Sequence, residues 1–154
     1  MLRKHRKFSR PKKLYDTDRI KEENKLIERF GLKNKREIWK IESKVGYYRS
    51  RAKALITSPH AEQKNLFDKL TSLGLAVSSI ADVLALTKED LMKRRFSSIL
   101  VARKLATTPK EARQMIVHKR VLINGKIVSS PGYIVPVGEE SHISLKVKNE
   151  GARQ

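Results

Sequence analysis

Cysteine is absent from the 154 residues, which removes disulfides, thiolate zinc sites, iron–sulfur clusters and cysteine nucleophiles from consideration. Acid is scarce: 16 Asp or Glu stand against 35 Lys or Arg, leaving +19 with histidines neutral and a pI near 10.4. Aromatic residues make up only 6%. No window approaches the roughly 18 apolar residues of a membrane span, and the cationic N-terminus has no apolar run behind it to form a signal peptide. A soluble, cytoplasmic protein without a membrane partner is expected. The seven glycines stand singly, never as GxGxxG or GxxxxGK, so no nucleotide cofactor is expected. His5, His60, His118 and His142 lie far apart, and none has a second ligand at zinc spacing, so no metal is expected. Acid neighbours such as Glu22-Glu23 and Glu139-Glu140 read as solvated charge rather than an acid–base pair. The sequence therefore predicts no catalytic residue and no small-molecule substrate.

What is present is cation, and it comes in two blocks. Residues 1–57 carry +12, residues 58–92 carry −2 and residues 93–154 carry +9. Apolar residues at 39% are enough to fold a chain that buries roughly 68–70% of its unfolded surface. The charge pattern implies a small globular protein with two surfaces made for a polyanion, joined by a piece that packs; nucleic acid is the first candidate. The first fifteen residues hold seven cations (Arg3, Lys4, Arg6, Lys7, Arg10, Lys12 and Lys13) and no acid. Such a segment stays extended in water and orders only along a negatively charged partner.

Asp16, Thr17 and Asp18 offer N-caps for a helix through Phe30 that Gly31 ends, with Ile20, Ile27 and Phe30 on one face. Asn34 and Glu37 approximate a capping box for the longest periodic pattern. There Ile38, Ile41, Val45, Tyr48, Ala52 and Leu55 follow at spacings of 3, 4, 3, 4 and 3. Lys40, Lys44, Arg51 and Lys53 lie off this stripe and, with Arg49, are candidate RNA contacts. Gly46 costs roughly 1 kcal/mol there against alanine, so the helix bends or something approaches closely. Ser58-Pro59 opens a helix carrying Leu66, Leu70 and Leu73 to a stop at Gly74. Two short helices follow, one holding Ile80, Val83 and Leu84, the next capped by Thr87 with Asp90.

Arg94 to Leu105 predicts a helix burying Phe96, Ile99 and Leu100. Thr108, Pro109 and Glu111 fill the N-cap, N1 and N3 positions of another, which turns Ala112, Met115 and Ile116 inward. Lys110, Arg113, Gln114, His118 and Arg120 fall on its other side, a face able to follow a phosphate backbone. Cations at the helix ends, Arg103, Lys104, Lys119 and Arg120, also suit the helix dipole. Asn124-Gly125 between Val121–Ile123 and Lys126–Val128 is a type I′ hairpin signal. A short strand at Tyr133–Val135, a loop at Pro136–Glu140 and an alternating strand at Ser141–Val147 complete the pattern. Tyr47 and Phe8 are the exposed aromatics placed to stack on bases, and a footprint across both halves suits folded RNA better than one DNA groove.

The stretch Arg94 to Glu140 resembles the small RNA-binding module named after small ribosomal subunit protein four. The marks are Arg95-Phe96, Ala112-Arg113-Gln114, Ile116-Val117-His118, Val121 through Gly125, and Pro131 with Tyr133. Upstream, Phe30 to Lys40 is similar to the matching helical segment in the archaeal and eukaryotic branch of that ribosomal family, and the likeness runs from about residue 15 to 145. The resemblance implies a structural constituent of the small ribosomal subunit, found on the cytoplasmic ribosome. It would be a primary binder of small-subunit (16S-type) ribosomal RNA at a junction in the 5′ domain, nucleating assembly. It also implies a place near the channel through which messenger RNA enters, beside small-subunit proteins three and five. Carried over by residue, the module's RNA-facing positions are Arg94, Arg95, Lys110, Arg113, Gln114, His118, Lys119, Arg120 and Lys126. A non-catalytic RNA-binding factor of ribosome rescue or RNA quality control, using the same module, is the alternative.

Three positions depart from the family pattern. No N-terminal cysteine cluster can hold the zinc of some bacterial members, Gly132 stands where a serine is expected before the tyrosine, and the sequence ends soon after the last strand. The expected protein is α+β: a basic arm (1–15), a helical domain (16–91), an RNA-binding module of two helices and a short antiparallel sheet (92–147) and a tail (148–154). Reversing Arg113 and Arg120 to Glu is expected to spare folding and weaken RNA binding.

Overall fold

A computed structural model describes residues 8–146 and shows an α+β protein. Arg3, Lys4, Arg6 and Lys7 of the arm, His5, Val147 and the tail lie outside the described residues. Helix α1 (Thr17–Phe30) starts where the Asp16 carboxylate accepts from the Arg19 amide at 3.3 Å, and it ends at Gly31, whose φ of 59° is left-handed. Helix α2 (Arg36–Ala54) buries Ile38, Ile41, Val45, Tyr48 and Ala52, the stripe its periodicity predicts. Its start differs from expectation. Lys35 is the N-cap and supplies no side-chain cap, so no capping box forms; the Glu37 carboxylate takes the Lys33 amide at 3.3 Å and is otherwise turned toward distant arginines. At Gly46 a Cβ would meet nothing within 4 Å among the described residues, so none of them requires the glycine.

Helix α3 (His60–Ser72) buries Leu66 and Leu70 and stops at Gly74, which has φ +78°. Helices α4 (Ile80–Ala85) and α5 (Lys88–Lys93) each begin with a reciprocal capping box, Ser79 with Asp82 and Thr87 with Asp90. These five helices share one core, whose fully buried members run from Leu26 to Met92.

Helix α6 covers only Phe96–Ala102, shorter than predicted at both ends. At its start Arg95 is extended because it forms a bridge with Ile134: the Phe96 amide donates to Tyr133 O at 2.8 Å and the Val135 amide to Arg94 O at 3.2 Å. At its end Lys104 enters the left-handed region at φ 58°, letting Lys104 N and Leu105 N reach back to Val101 O and Leu100 O. That pair of bonds is a Schellman stop. Helix α7 (Pro109–Val117) begins at the Thr108 cap as predicted, and ends in the same motif with Lys119 at φ 58°. Strands β1 (Val121–Ile123) and β2 (Lys126–Ile127) pair through Asn124 and Gly125, with φ 50° and 73°, as the hairpin signal requires.

The expected strand at Tyr133–Val135 is instead that single bridge to Arg95, and the expected loop at Pro136–Glu140 contains a one-turn helix, α8 (Val137–Glu140). Strand β3 (Ile143–Leu145) pairs antiparallel with β1, giving the order β2-β1-β3. Phe96, Ile99, Leu100, Ala112, Ile116, Val121 and Val135 form the second core, whose buried members run from Phe96 to Ile143. Helix α7 packs chiefly on α6 and also touches α1.

Candidate nucleic-acid interface

The seam between the two cores is held by a carboxylate. Glu37, on the first turn of α2, accepts from Arg113 Nη1 at 3.0 Å and Nη2 at 2.9 Å, and from Arg95 Nη2 at 2.5 Å. The Arg95 side chain is 3% exposed, against 22% for Arg113 and 17% for Glu37. Burial alone would raise the Glu37 pKa. The hydrogen bonds and charges of Arg113 and Arg95 outweigh it and hold the carboxyl below its ordinary 4.5.

A second buried acid organises the N-terminal side. Glu23 is held by Arg19 Nη1 at 2.7 Å, Trp39 Nε1 at 2.9 Å and Lys35 Nζ at 3.4 Å. Burial raises its pKa, but these donors bring it below the ordinary range. Through Nη2, Arg19 also donates to the carbonyls of Lys13 and Leu14, both at 3.0 Å, and Phe8 lies 6.1 Å from Trp39 between ring centroids. Residues 8–15 are thus attached to the helical half, where an arm free in water was expected, and Phe8 is partly covered rather than open to bases.

The predicted site residues divide into two groups. Arg94, Arg95 and Arg113 turn inward. Arg94 pairs with Glu140, donates to Val135 O at 2.9 Å and occupies the notch at Gly74, where a Cβ would stand 2.5 Å from its guanidinium carbon. All three make internal ion pairs, which their carry-over as RNA-facing positions did not anticipate. Lys110, Gln114, His118, Lys119, Arg120 and Lys126 are exposed, on α7, the turn after it and β2. On α2, Lys40, Lys44, Arg49, Arg51 and Lys53 are exposed, although Arg49 Nη2 donates to Leu86 O at 2.6 Å and so ties α2 to the α4–α5 junction. Arg10, Lys12 and Lys13 are exposed along the arm.

Sequence reasoning missed Glu37, Glu23, Arg19 and Glu140. Each is an acid, or the partner of one, in a strongly basic neighbourhood, and that rarity was the available signal. The glycine at 132 needs no special account: a Cβ there would meet only Arg95 Nη2, at 3.9 Å, so the serine of the family pattern would fit. Among the described residues no group of His, Asp or Glu is placed to hold a metal, and no helix is long and apolar enough to cross a membrane.

The S4 domain family matches residues 94–141, from the end of α5 to the end of α8. The chain is therefore a protein carrying an RNA-binding S4 domain joined to a helical half. Small ribosomal subunit protein uS4 of Methanothermobacter thermautotrophicus is 40% identical over 146 residues, covering 91% of this chain and 85% of that protein. The protein of the same name from Saccharolobus islandicus is 40% identical over 149 residues, with 92% and 82% covered. That of Methanosphaera stadtmanae is 39% identical over 158 residues, with 94% and 87% covered. The chain belongs to the small ribosomal subunit protein uS4 family.

Proposed function

We propose that this chain is a structural, non-catalytic constituent of the small ribosomal subunit and a primary binder of small-subunit ribosomal RNA at a 5′-domain junction, where it nucleates assembly. The observation that carries the reading is the exposed cation row from Lys110 through Lys126, backed by a rigid core and lying within the S4 domain. The names of relatives matched along nine-tenths of the chain support the ribosomal setting over a rescue or quality-control factor. Lys110, Gln114, His118, Lys119, Arg120 and Lys126 form one contact surface in this reading. Lys40, Lys44, Arg51 and Lys53 of α2, with Arg10, Lys12 and Lys13 of the arm, form the other. In this reading the chain also lies near the channel through which messenger RNA enters, beside small-subunit proteins three and five.

A salt series of affinity tests the reading. The expected result is a slope of log affinity on log salt of about −0.7 to −0.9 per neutralised phosphate, with strong preference for the junction over an unrelated RNA of equal length. The same slope without preference would reduce the chain to a general basic RNA binder. In sedimentation the chain is expected to stay with the small subunit after a high-salt wash, where a transient factor would leave.

A further inference from the structure

A cleft of about 740 Å³ opens between α2 and residues 130–134, inside the roughly 300–1,000 Å³ range of ligand pockets. One wall is a single face of α2, because Lys40, Ser43, Lys44 and Tyr47 recur at helical spacing. Ile41, Tyr48 and Ile134 give it an apolar floor, and Ser130 stands opposite.

We infer that this cleft holds one nucleotide of a single-stranded RNA segment, its phosphate on Lys40 and Lys44 and its base on the ring of Tyr47. The inference rests on the RNA-binding role proposed above. Charge supports it. Among the described residues Glu37 is the only acid in the lining, and it is already shared between Arg95 and Arg113, so two guanidiniums face one carboxylate. Arg95 Nε and Nη1 are buried without a hydrogen-bond partner, so Glu37 satisfies only part of a guanidinium that also lines this cleft. Such a site favours an anion.

Tyr47 supports the base. The residue is 56% exposed, yet its ring is fixed: it meets Tyr48 edge-on at 5.6 Å, and its hydroxyl accepts from Arg51 Nη1 at 3.2 Å. An exposed aromatic already held in place loses little freedom on stacking, and stacking accepts any base. An acidic peptide would suit the charge of the lysines but leave the ring unused.

The test uses the full chain and the small-subunit RNA fragment of the salt series. Ultraviolet cross-linking followed by tryptic mass analysis is expected to find a nucleotide on the peptide Val45–Arg49, and to lose it in Tyr47→Leu. That variant, changed outside both cores, is expected to keep its helical content and bind RNA about 5- to 100-fold more weakly, while Tyr47→Phe binds like the parent. Wild-type affinity in Tyr47→Leu, with adducts only on other peptides, would overturn the cleft and leave the RNA-binding role standing. No specific RNA binding by the parent chain would overturn both. Displacement of the RNA by adenosine monophosphate at micromolar concentration would make this a free-nucleotide pocket and overturn the assignment to an RNA segment.

Discussion

Arg113 and Glu37, 76 positions apart in sequence, face each other fork to carboxylate, with Nη1 to Oε2 at 3.0 Å and Nη2 to Oε1 at 2.9 Å. The pair joins α7 to α2 across the seam. Its arginine had the sequence character of a phosphate contact, and the geometry assigns it to the fold.

That relationship separates two substitutions that the sequence treated alike. Arg113→Glu sets a second carboxylate against Glu37 and is expected to cost about 3–5 kcal/mol, the range for breaking a buried pair. Arg120→Glu, on the exposed turn after α7, is expected to change stability by less than about 0.5 kcal/mol and to weaken RNA binding. Urea unfolding alongside an RNA titration distinguishes them; equal stability of the two variants would contradict the seam.

Acid should loosen the molecule at its buried carboxylates. Glu37 and Glu23 have folded pKa values below 4.5, so their contribution is complete above that pH and is lost as pH falls through the depressed values. Asp82, held by the amides and hydroxyls of Ser78 and Ser79, is lowered from 3.8 to about 2, so the α4 cap holds well below the ordinary carboxylate range. Stability measured by denaturant between pH 6 and pH 2 is expected to fall below about pH 4.5, and to fall less in Arg113→Ala, which has already lost part of the linkage.

Gly31 is required twice over. Its φ of 59° disfavours any L side chain, and a Cβ there would lie 2.8 Å from the Pro109 carbonyl carbon and 2.9 Å from the Lys110 nitrogen, both backbone atoms that cannot swing away. Gly31→Ala is expected to lower stability by more than about 2 kcal/mol, read by thermal or urea unfolding. Gly46→Ala, with open space and no positive φ, is expected to raise it by up to about 1 kcal/mol.

Lys119 sits in the left-handed region at φ 58°, where a lysine carries roughly 1 kcal/mol of strain that glycine would not. Lys119→Gly is therefore expected to stabilise the fold slightly while weakening RNA binding. A variant that loses both would show that the lysine is held by packing and not by its partner.

What the sequence made legible was local. Thr87 with Asp90 and Thr108 with Glu111 cap their helices within three residues, and Asn124-Gly125 sets its turn alone, so neighbouring identities suffice. The α2 stripe was equally plain. Glu37 misled because its spacing from Asn34 satisfied a local rule, while its true partners lie 58 and 76 residues onward. Lys104 and Lys119 gave no warning of their left-handed stops, since only glycine or asparagine advertises that conformation. At Tyr133–Val135 the apolar triplet suggested a strand, but its bonds go to Arg94 and Phe96 at the head of a helix, with no ladder beyond one bridge. The candidate site was readable as charge and not as geometry: sequence could count arginines, but only the fold separates those facing out from those spent on Glu37 and Glu140.

The two cores also divide the chain in time. Among the described residues, every buried member of the first lies between Leu26 and Met92, and every one of the second between Phe96 and Ile143. A nascent chain emerges N-terminus first, so its leading half can condense before the trailing half has been synthesised. Gly31 and Glu37 then stand as a vacant latch until α7 arrives with Pro109 and Arg113. Closure of that latch has to wait for α7, so the seam stays open while the trailing half is still being made.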